Sequence, residues 1–269
     1  MITRKLLNGV EIPAIGLGTW KIPNDEVADI IVEAVKLGYR HIDTAAVYRN
    51  EEGVGEGIRK CGIDRSEIFV TTKVWNDDQG FLTTLKAFEK SLTRLGLEYI
   101  DLYLIHWPKP LNAETWRALE HLYNEGKVRA IGVSNFHPHH FDALMETAKI
   151  KPMINQFELH PKLTQEVSVL FYQSQGVVVE SWSPLMRGQV NDSEILLDIA
   201  KKYGKTPAQV VLRWNIDKGF VTIPKSVKVE RLKENISIFD FELDKNDIAR
   251  IDSMNINYRT GPDPDLISF

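Results

Sequence analysis

The sequence is poor in cysteine and has no long apolar run. Cys61 is the only cysteine among 269 residues, so no disulfide can form within the chain, and a reducing cytoplasm is the simplest setting. The first residues, MITRKLLNGVEIP, lack the apolar segment of a signal peptide, and nowhere do about 18 apolar residues follow one another as in a membrane span. We therefore predict a soluble, cytoplasmic protein that does not enter a membrane.

An excess of basic residues is missing as well. Lys and Arg number 33 against 37 Asp and Glu, which gives a net charge of −4, and no basic stripe runs along the sequence. This balance argues against nucleic acid as a partner. Hydrophobic residues make up 43% of the chain, which is enough for a sizeable core. We expect a globular protein that binds a small molecule.

Two common enzyme motifs are absent. A doubly wound sheet that binds a dinucleotide carries GxGxxG directly after its first strand, but the sequence there is GLGTW. No GxSxG occurs, so a serine hydrolase has no support. The doubly wound sheet is therefore the less favoured of two α/β folds, the other being the closed barrel described next.

Eight short β-rich runs alternate with helical patterns. The runs are AIGLGTW (14–20), HIDTA (41–45), IFVTTKV (68–74), DLYLIHW (101–107), AIGVSNF (130–136), INQFEL (154–159), VVVESWSP (177–184) and FVTIPKS (220–226). Between them, segments such as 25–38, 80–96 and 138–149 have apolar residues three and four positions apart. An Asn-Gly pair in LLNGVEIP (6–13) predicts a hairpin before the first run. The pattern predicts an α/β fold, one (β/α)8 TIM barrel with an N-terminal β-hairpin, and a single domain over residues 1–269.

A barrel of this type places its chemistry at the C-terminal ends of the strands and in the loops that follow them. Polar and aromatic residues are concentrated at these positions. They are Trp20, Asp43, Tyr48, Lys73, Trp75, His106, Trp107, Ser134, Asn135, Gln156, Trp182 and Lys225. A scaffold that serves stability alone does not need such a rim.

Asp43 and Lys73 each end an otherwise apolar strand. Because an isolated buried charge is costly, the two should form a pair. An inert structural ion pair is the alternative, and for this pair alone the two interpretations are about even.

Tyr48 and His106 favour the catalytic interpretation. A nearby lysine ammonium stabilises the phenolate of Tyr48 and lowers its pKa from about 10, while Asp43 keeps Lys73 charged and oriented. His106, at the end of the fourth run, can donate a hydrogen bond to a substrate carbonyl. Together the four residues form a proton donor beside a carbonyl anchor.

Reduction of a carbonyl also needs a hydride, which indicates a nicotinamide cofactor. The segment IPKSVKVERLKEN (223–235) supplies Lys225, Ser226 and Arg231 close to the start of a predicted helix. Cations at a helix N-terminus bind anions, and two of them suit a 2′-phosphate, so NADPH is favoured over NADH. A solvated basic helix start is the alternative for this segment alone.

Four motifs resemble those of the aldo-keto reductase family. They are GYRHIDTAAVYRNEEGVGEGI (38–58), IHWP (105–108), GVSNF (132–136) and the segment 223–235, in the family's order. The resemblance runs from about Leu6 to the end of the sequence. It implies an NADPH-dependent reductase of aldehydes and ketones, small dicarbonyls or keto-sugars among them, that acts as a monomer.

The resemblance also implies roles for single residues. Asp43, Tyr48, Lys73 and His106 match the catalytic tetrad, with Tyr48 as the general acid. Cofactor contacts are implied for Gly18, Thr19, Asp43, Ser134, Asn135, Gln156, Trp182, Ser183, Pro184, Leu185, Lys225, Ser226, Val227, Arg231, Glu234 and Asn235. Within that set, Ser134, Asn135 and Gln156 match the nicotinamide carboxamide contacts, Trp182 matches the aromatic stacked on the nicotinamide, and Glu234 and Asn235 match adenine contacts. Trp20, Trp75, His106 and Trp107 are implied around the substrate, and no metal is expected.

Three details depart from the family's usual pattern or narrow it. Trp182 stands where the family often has tyrosine or phenylalanine, and Met186 stands where a glycine is common in the loop 183–194. The short tail RTGPDPDLISF (259–269) is similar to that of bacterial members such as 2,5-diketo-D-gluconate reductases, which implies an open pocket of broad specificity. An NADPH-binding module with little turnover is the rival interpretation, and the intact tetrad favours the enzyme.

Other motifs in the sequence are better explained by structure. Gly53, Gly55 and Gly57 fall inside a helical pattern, where close helix packing explains them. YNEGK (123–127) has the Tyr-x-x-x-Lys spacing of short-chain dehydrogenases, but Gly126 fits a helix C-cap better. HPHH (137–140) suggests zinc, yet it opens a helix and has no Cys or acidic partner at ligand spacing, so we expect a surface segment.

Overall fold

Ten strands are present in the computed structural model, which describes residues 2–269. Strands β1 (Thr3–Lys5) and β2 (Glu11–Pro13) form an antiparallel hairpin. The others form one parallel sheet in sequence order: β3 (Leu17–Gly18), β4 (His41–Asp43), β5 (Phe69–Val74), β6 (Ile100–Ile105), β7 (Val128–Ser134), β8 (Ile154–Glu158), β9 (Val178–Trp182) and β10 (Val221–Thr222). Neighbouring pairs are parallel throughout, which confirms the predicted α/β architecture.

The sheet closes on itself between its first and last strands. Gly16 donates its backbone N–H to Thr222 O over 2.9 Å, and Thr222 donates to Ala14 O over 2.9 Å, beside a parallel bridge from Ile15 to Thr222. The (β/α)8 barrel prediction is confirmed. The two closing strands are shorter than the runs 14–20 and 220–226, and Pro224, which has no N–H to donate, follows closely after β10.

Helices cover the outside of the barrel. They are α1 (Val27–Lys36), α2 (Glu51–Lys60), α3 (Phe81–Leu95), α4 (Asn112–Asn124), α5 (Pro138–Met145), α6 (Glu166–Ser174), α7 (Glu194–Tyr203), α8 (Pro207–Asp217), α9 (Val229–Ile236) and α10 (Lys245–Asp252). Helices α1, α3 and α5 confirm the patterns at 25–38, 80–96 and 138–149, and Gly96 caps α3 in the left-handed conformation with φ 62°. None of the helices within residues 2–269 has both the length and the apolar character that a membrane-spanning helix needs.

The hairpin lies at the N-terminal end of the barrel. Asn8 Nδ2 donates to Arg129 O over 2.9 Å, at the start of β7, and Arg4 Nη2 donates to Ile216 O over 2.5 Å. Gly9 follows Asn8 in the left-handed conformation with φ 88°, as the Asn-Gly pair predicts. Because the hairpin covers this end, the opposite rim is left for chemistry.

The glycines of α2 serve helix packing. A Cβ atom added at Gly53 would lie 2.1 Å from Asn24 O, and one at Gly55 would lie 1.8 Å from Leu95 O. Both distances are far below a van der Waals contact, so α2 can approach its neighbours this closely only without side chains. The packing interpretation of these glycines is confirmed.

Candidate active site

The pair Asp43–Lys73 lies at the C-terminal ends of β4 and β5. Lys73 Nζ donates to both carboxylate oxygens of Asp43 over 2.8 Å and to Thr44 O over 2.9 Å. The lysine is fully buried and Asp43 is 2% exposed. Burial opposes the charge of Lys73, but the charge and the hydrogen bond of Asp43, with smaller contributions from Tyr48 and Glu180, together raise the pKa of Lys73. The predicted pair is confirmed as a buried ion pair.

Tyr48 lies above this pair, in a short 3-10 helix at Ala46–Tyr48 that follows β4. Lys73 Nζ is 5.2 Å from the centroid of the phenol ring. Burial raises the pKa of Tyr48, and the charge of Lys73 lowers it without cancelling that effect. The expected net lowering of the Tyr48 pKa is therefore wrong, because desolvation of the phenolate exceeds the attraction of one ammonium that Asp43 already partly neutralises. The phenol keeps its proton at neutral pH.

His106 follows β6 and faces Tyr48 and Trp75. Its imidazole lies edge-on to both rings, with centroid distances of 5.7 Å and 5.2 Å. Burial and the charge of Lys73 hold the pKa of His106 well below its usual value, so the ring is neutral. Its Nδ1 is buried without a hydrogen-bond partner among residues 2–269. A neutral imidazole in this position can donate one hydrogen bond to a carbonyl oxygen.

Glu180 in β9 is a buried carboxyl that was not predicted as a site residue. Gln156 Nε2 donates to Asp43 Oδ2 over 2.8 Å and to Glu180 Oε2 over 3.0 Å, so the amide bridges two acids. Burial, and next the charge of Asp43, raise the pKa of Glu180 to about 8. Glu180 is therefore largely protonated at neutral pH, and Asp43 is the main partner of the Lys73 charge. An acid inside the apolar run VVVESW was a signal of the same kind as Asp43.

Thr19 fixes the backbone beside Asp43. Its N–H and its Oγ1 both donate to Asp43 O, over 3.0 Å and 2.9 Å. Gly18, one residue earlier, approaches the last strand so closely that an added Cβ would lie 2.9 Å from Ile223 O. Both positions implied for cofactor contact thus lie at the rim next to the pair.

The four residues implied for the nicotinamide form one hydrogen-bonded group. Asn135 adopts the left-handed conformation, with φ 64°, which directs its amide inward. Its Nδ2 donates to His106 O over 2.9 Å and to Ser134 Oγ over 3.0 Å, and its Oδ1 accepts from Trp182 Nε1 over 2.8 Å. Gln156 joins this group to Asp43. The structure therefore links the candidate nicotinamide residues to the ion pair.

The loop after β9 has three successive residues in the left-handed conformation. Met186, Arg187 and Gly188 have φ values of 49°, 54° and 96°. The Met186 side chain is fully buried. A non-glycine residue in this conformation costs about 1–3 kcal/mol, so burial of the thioether offsets strain that a glycine would avoid. Ser183, Pro184 and Leu185, implied for cofactor contact, lie just before this bend.

Lys225, Ser226, Val227 and Arg231 surround the start of α9. Lys225 and Arg231 are exposed, and neither makes a salt bridge within residues 2–269. Lys228 precedes the helix without a side-chain cap, so its first backbone N–H groups have no protein acceptor there. Glu234 accepts from Thr206 Oγ1 over 2.5 Å, and Asn235 is buried. This surface has the donors and the free positive charge that an anion needs.

Aromatic residues line the mouth of the site. Trp75 stacks on Phe269 at 5.8 Å and 6°, and Trp107 meets the same ring edge-on at 5.6 Å. Trp20 is 46% exposed at the rim, with Arg187 5.7 Å from its ring centroid. Phe269 was not predicted, because nothing in a polar, proline-rich tail marks one aromatic as a wall residue. The tail thus covers one side of a pocket that we expected to be open.

The alternative Tyr-x-x-x-Lys motif lies elsewhere. The hydroxyl of Tyr123 accepts from Asn8 Nδ2 over 3.3 Å, at the hairpin end of the barrel, and Lys127 pairs with Glu89 on the surface. Gly126 follows α4 with φ 74°, which confirms the C-cap interpretation. This motif therefore takes no part in the site.

The fold and the site together define a barrel oxidoreductase, and comparisons with known proteins agree. The Aldo/keto reductase family model matches residues 14–256. The chain is 56% identical over 269 residues to a glyoxal reductase of Bacillus subtilis, which covers 99% of this chain and 98% of that protein. It is 45% identical over 266 residues to the methylglyoxal reductase DkgA of Escherichia coli K12. That alignment covers 97% of this chain and 96% of DkgA.

A solved structure of a Gox0644 mutant in complex with NADPH has a TM-score of 0.95 to this chain at 45% identity, and covers 100% of this chain and 99% of that one. The chain belongs to the aldo/keto reductase family. It is an NADP-dependent oxidoreductase of carbonyl compounds, and its cofactor is NADP(H).

Proposed function

We propose that this enzyme reduces small aldehydes and ketones, α-dicarbonyl compounds first among them, with Tyr48 as the proton donor. The observation that carries the proposal is the buried Lys73–Asp43 pair beneath a protonated Tyr48 and beside a neutral His106. The names of two relatives, glyoxal reductase and methylglyoxal reductase, support the substrate class.

Each residue of the tetrad has a physical role in this proposal. His106 holds the substrate oxygen by a hydrogen bond, because a neutral imidazole has one N–H to donate. Tyr48 gives its proton to that oxygen as negative charge develops on it. Lys73 stabilises the resulting phenolate, and Asp43 with Thr44 O keeps the ammonium in place. Gln156 orients Asp43 from the other side.

The residues present fit an NADP(H) molecule. The face of Trp182 is one candidate for the nicotinamide, and the uncapped start of α9 with Lys225 and Arg231 is a candidate for the 2′-phosphate. When bound, the cofactor supplies the hydride from its nicotinamide C4. The protein's own contribution is to exclude water with Trp75, Trp107 and Phe269 while Tyr48 delivers the proton.

The substrate class can be tested by kcat/KM values with NADPH over glyoxal, methylglyoxal, aromatic aldehydes and keto-sugars. We expect the two dicarbonyls to rank above the keto-sugars, because the walls around His106 are aromatic and closely spaced. If NADPH is not oxidised with any of these compounds, the protein is a binding module and the proposal fails.

Replacement of Arg231 by Ala is expected to weaken NADPH binding by about tenfold to a hundredfold, the usual loss for one charge-assisted contact of about 1.5–3 kcal/mol. NADH, which has a hydroxyl in place of the phosphate, should bind almost unchanged. Titration of both cofactors by protein fluorescence measures the two dissociation constants. High salt should also reduce the wild-type preference for NADPH over NADH, because salt screens the attraction between exposed charges.

The matched control for this experiment is Lys233→Ala. Lys233 is an exposed cation on the same helix, and it is not among the residues implied for the phosphate. Its loss should change neither affinity by more than about twofold. Equal losses of NADPH and NADH affinity in Arg231→Ala would show that Arg231 does not bind the 2′-phosphate.

A further inference from the structure

Three histidines at the start of α5 surround one carboxylate of the tail, residues 259–269. His137 Nδ1 lies 2.9 Å from Asp265 Oδ2, and His139 Nε2 and His140 Nε2 lie 3.1 Å and 3.2 Å from Asp265 Oδ1. The four candidate ligand atoms all lie within 4.8 Å of one another. The sequence around HPHH shows no acidic partner at ligand spacing, because Asp265 is more than a hundred residues further along the chain.

The chemistry of this donor set suits a borderline divalent metal. Three imidazole nitrogens and one carboxylate are typical ligands of zinc, whose Zn–N distances of about 2.0–2.1 Å place tetrahedral ligand atoms roughly 3.3 Å apart. Small rotations of exposed side chains can reach that spacing, since His139 and Asp265 are 62% and 44% exposed.

The hydrogen bond between His137 and Asp265 is replaced by coordination when a metal binds, and two contacts to groups outside the ligand atoms must also change. His140 Nδ1 accepts the backbone N–H of His137 over 3.1 Å, and Arg259 Nη2 lies 3.3 Å from His137 Nε2. Both nitrogens would carry a proton in the metal-bound form, so both contacts would be lost. Each loss is one hydrogen bond, and Arg259 keeps its pairing with Asp263 over 3.4 Å.

We propose that His137, His139, His140 and Asp265 form a zinc-type site that fastens the tail to α5. Two other anchors hold the tail: Thr260 donates its N–H to Glu158 Oε1 over 2.6 Å, and Phe269 packs on Trp75. A metal between these two anchors ties the tail down just before it reaches the aromatic wall of the substrate pocket. The site is separate from the tetrad and does not depend on the reaction proposed above.

The experiment is a calorimetric titration of the full chain, without an affinity tag and stripped with a chelator, with Zn²⁺. We expect one ion per chain, and a loss of affinity of at least tenfold in both His139→Asn and Asp265→Asn. His139 and Asp265 are exposed enough for the variants to fold. The controls are His121→Asn and Glu146→Gln, a surface histidine and an exposed acid at the end of α5 outside the cluster, and these should bind as the wild type does.

Two further readouts separate a built site from loose surface binding. Co²⁺ should give the visible absorption band of a four-coordinate site in the wild type and lose it in His139→Asn. Amide hydrogen exchange over the tail should slow with Zn²⁺ in the wild type and the controls, but not in His139→Asn. The proposal is overturned if the wild type does not bind Zn²⁺. It is also overturned if the two cluster variants bind Zn²⁺ as strongly as the controls do.

Discussion

Replacement of Tyr48 by Phe is expected to lower kcat for carbonyl reduction by two or more orders of magnitude. The variant keeps the ring and its edge-on contact with His106, at 5.7 Å between centroids, but has no proton to give. A factor of about 10²–10⁴ is the usual contribution of general acid catalysis. Single-turnover oxidation of bound NADPH at saturating methylglyoxal measures the chemical step directly.

The raised pKa of Tyr48 sharpens this expectation. Because burial keeps the phenol protonated, the wild type should retain its proton donor across neutral pH. NADPH affinity of the variant should stay within about threefold of wild type, since the hydroxyl only has to reach the substrate. Tyr123→Phe is the matched control, because that tyrosine lies at the hairpin end of the barrel. A near-normal kcat in Tyr48→Phe would show that another group is the acid.

The positions of the tetrad could be predicted because the barrel dictates them. Asp43 and Lys73 end β4 and β5, His106 follows β6, and strand ends of a parallel barrel meet at one rim. The fold itself followed from eight β-rich runs alternating with helical patterns. Strand lengths at the closure were less predictable, since they depend on two neighbours far apart in sequence.

What the sequence did not predict depends on packing over long separations. Phe269 reaches Trp75, and Asp265 reaches the histidines of α5, through a tail that has no periodic pattern. The pKa of Tyr48 depends on two opposing effects, since burial raises it and the charge of Lys73 lowers it. The size of the burial effect depends on the packing of neighbouring atoms, which the sequence does not show. The roles of single residues in binding the carbonyl and the cofactor stay predictions. The monomeric state also stays a prediction.

The Lys73→Met variant should lose most activity and much of its stability. Lys73 Nζ donates three hydrogen bonds. Without the lysine, the carboxylate of Asp43, which is 2% exposed, has only Gln156 as a side-chain donor. An unpaired buried charge of this kind costs about 3–5 kcal/mol. The phenolate of Tyr48 also loses its nearest positive charge, so kcat should fall by about two orders of magnitude or more, the scale of a lost electrostatic contact in the transition state.

A double variant separates the two effects. Lys73→Met with Asp43→Asn removes both charges, so the free energy of unfolding measured with denaturant should recover most of its loss, whereas kcat should not. Lys36→Met is the control, because Lys36 pairs with Glu33 on the surface, where such a pair contributes at most about 1 kcal/mol. Recovery of both stability and kcat in the double variant would show that Asp43 and Lys73 form a structural ion pair without a catalytic role. Recovery of stability alone would mean that the buried ammonium is kept for the chemistry of Tyr48, since the fold tolerates its absence.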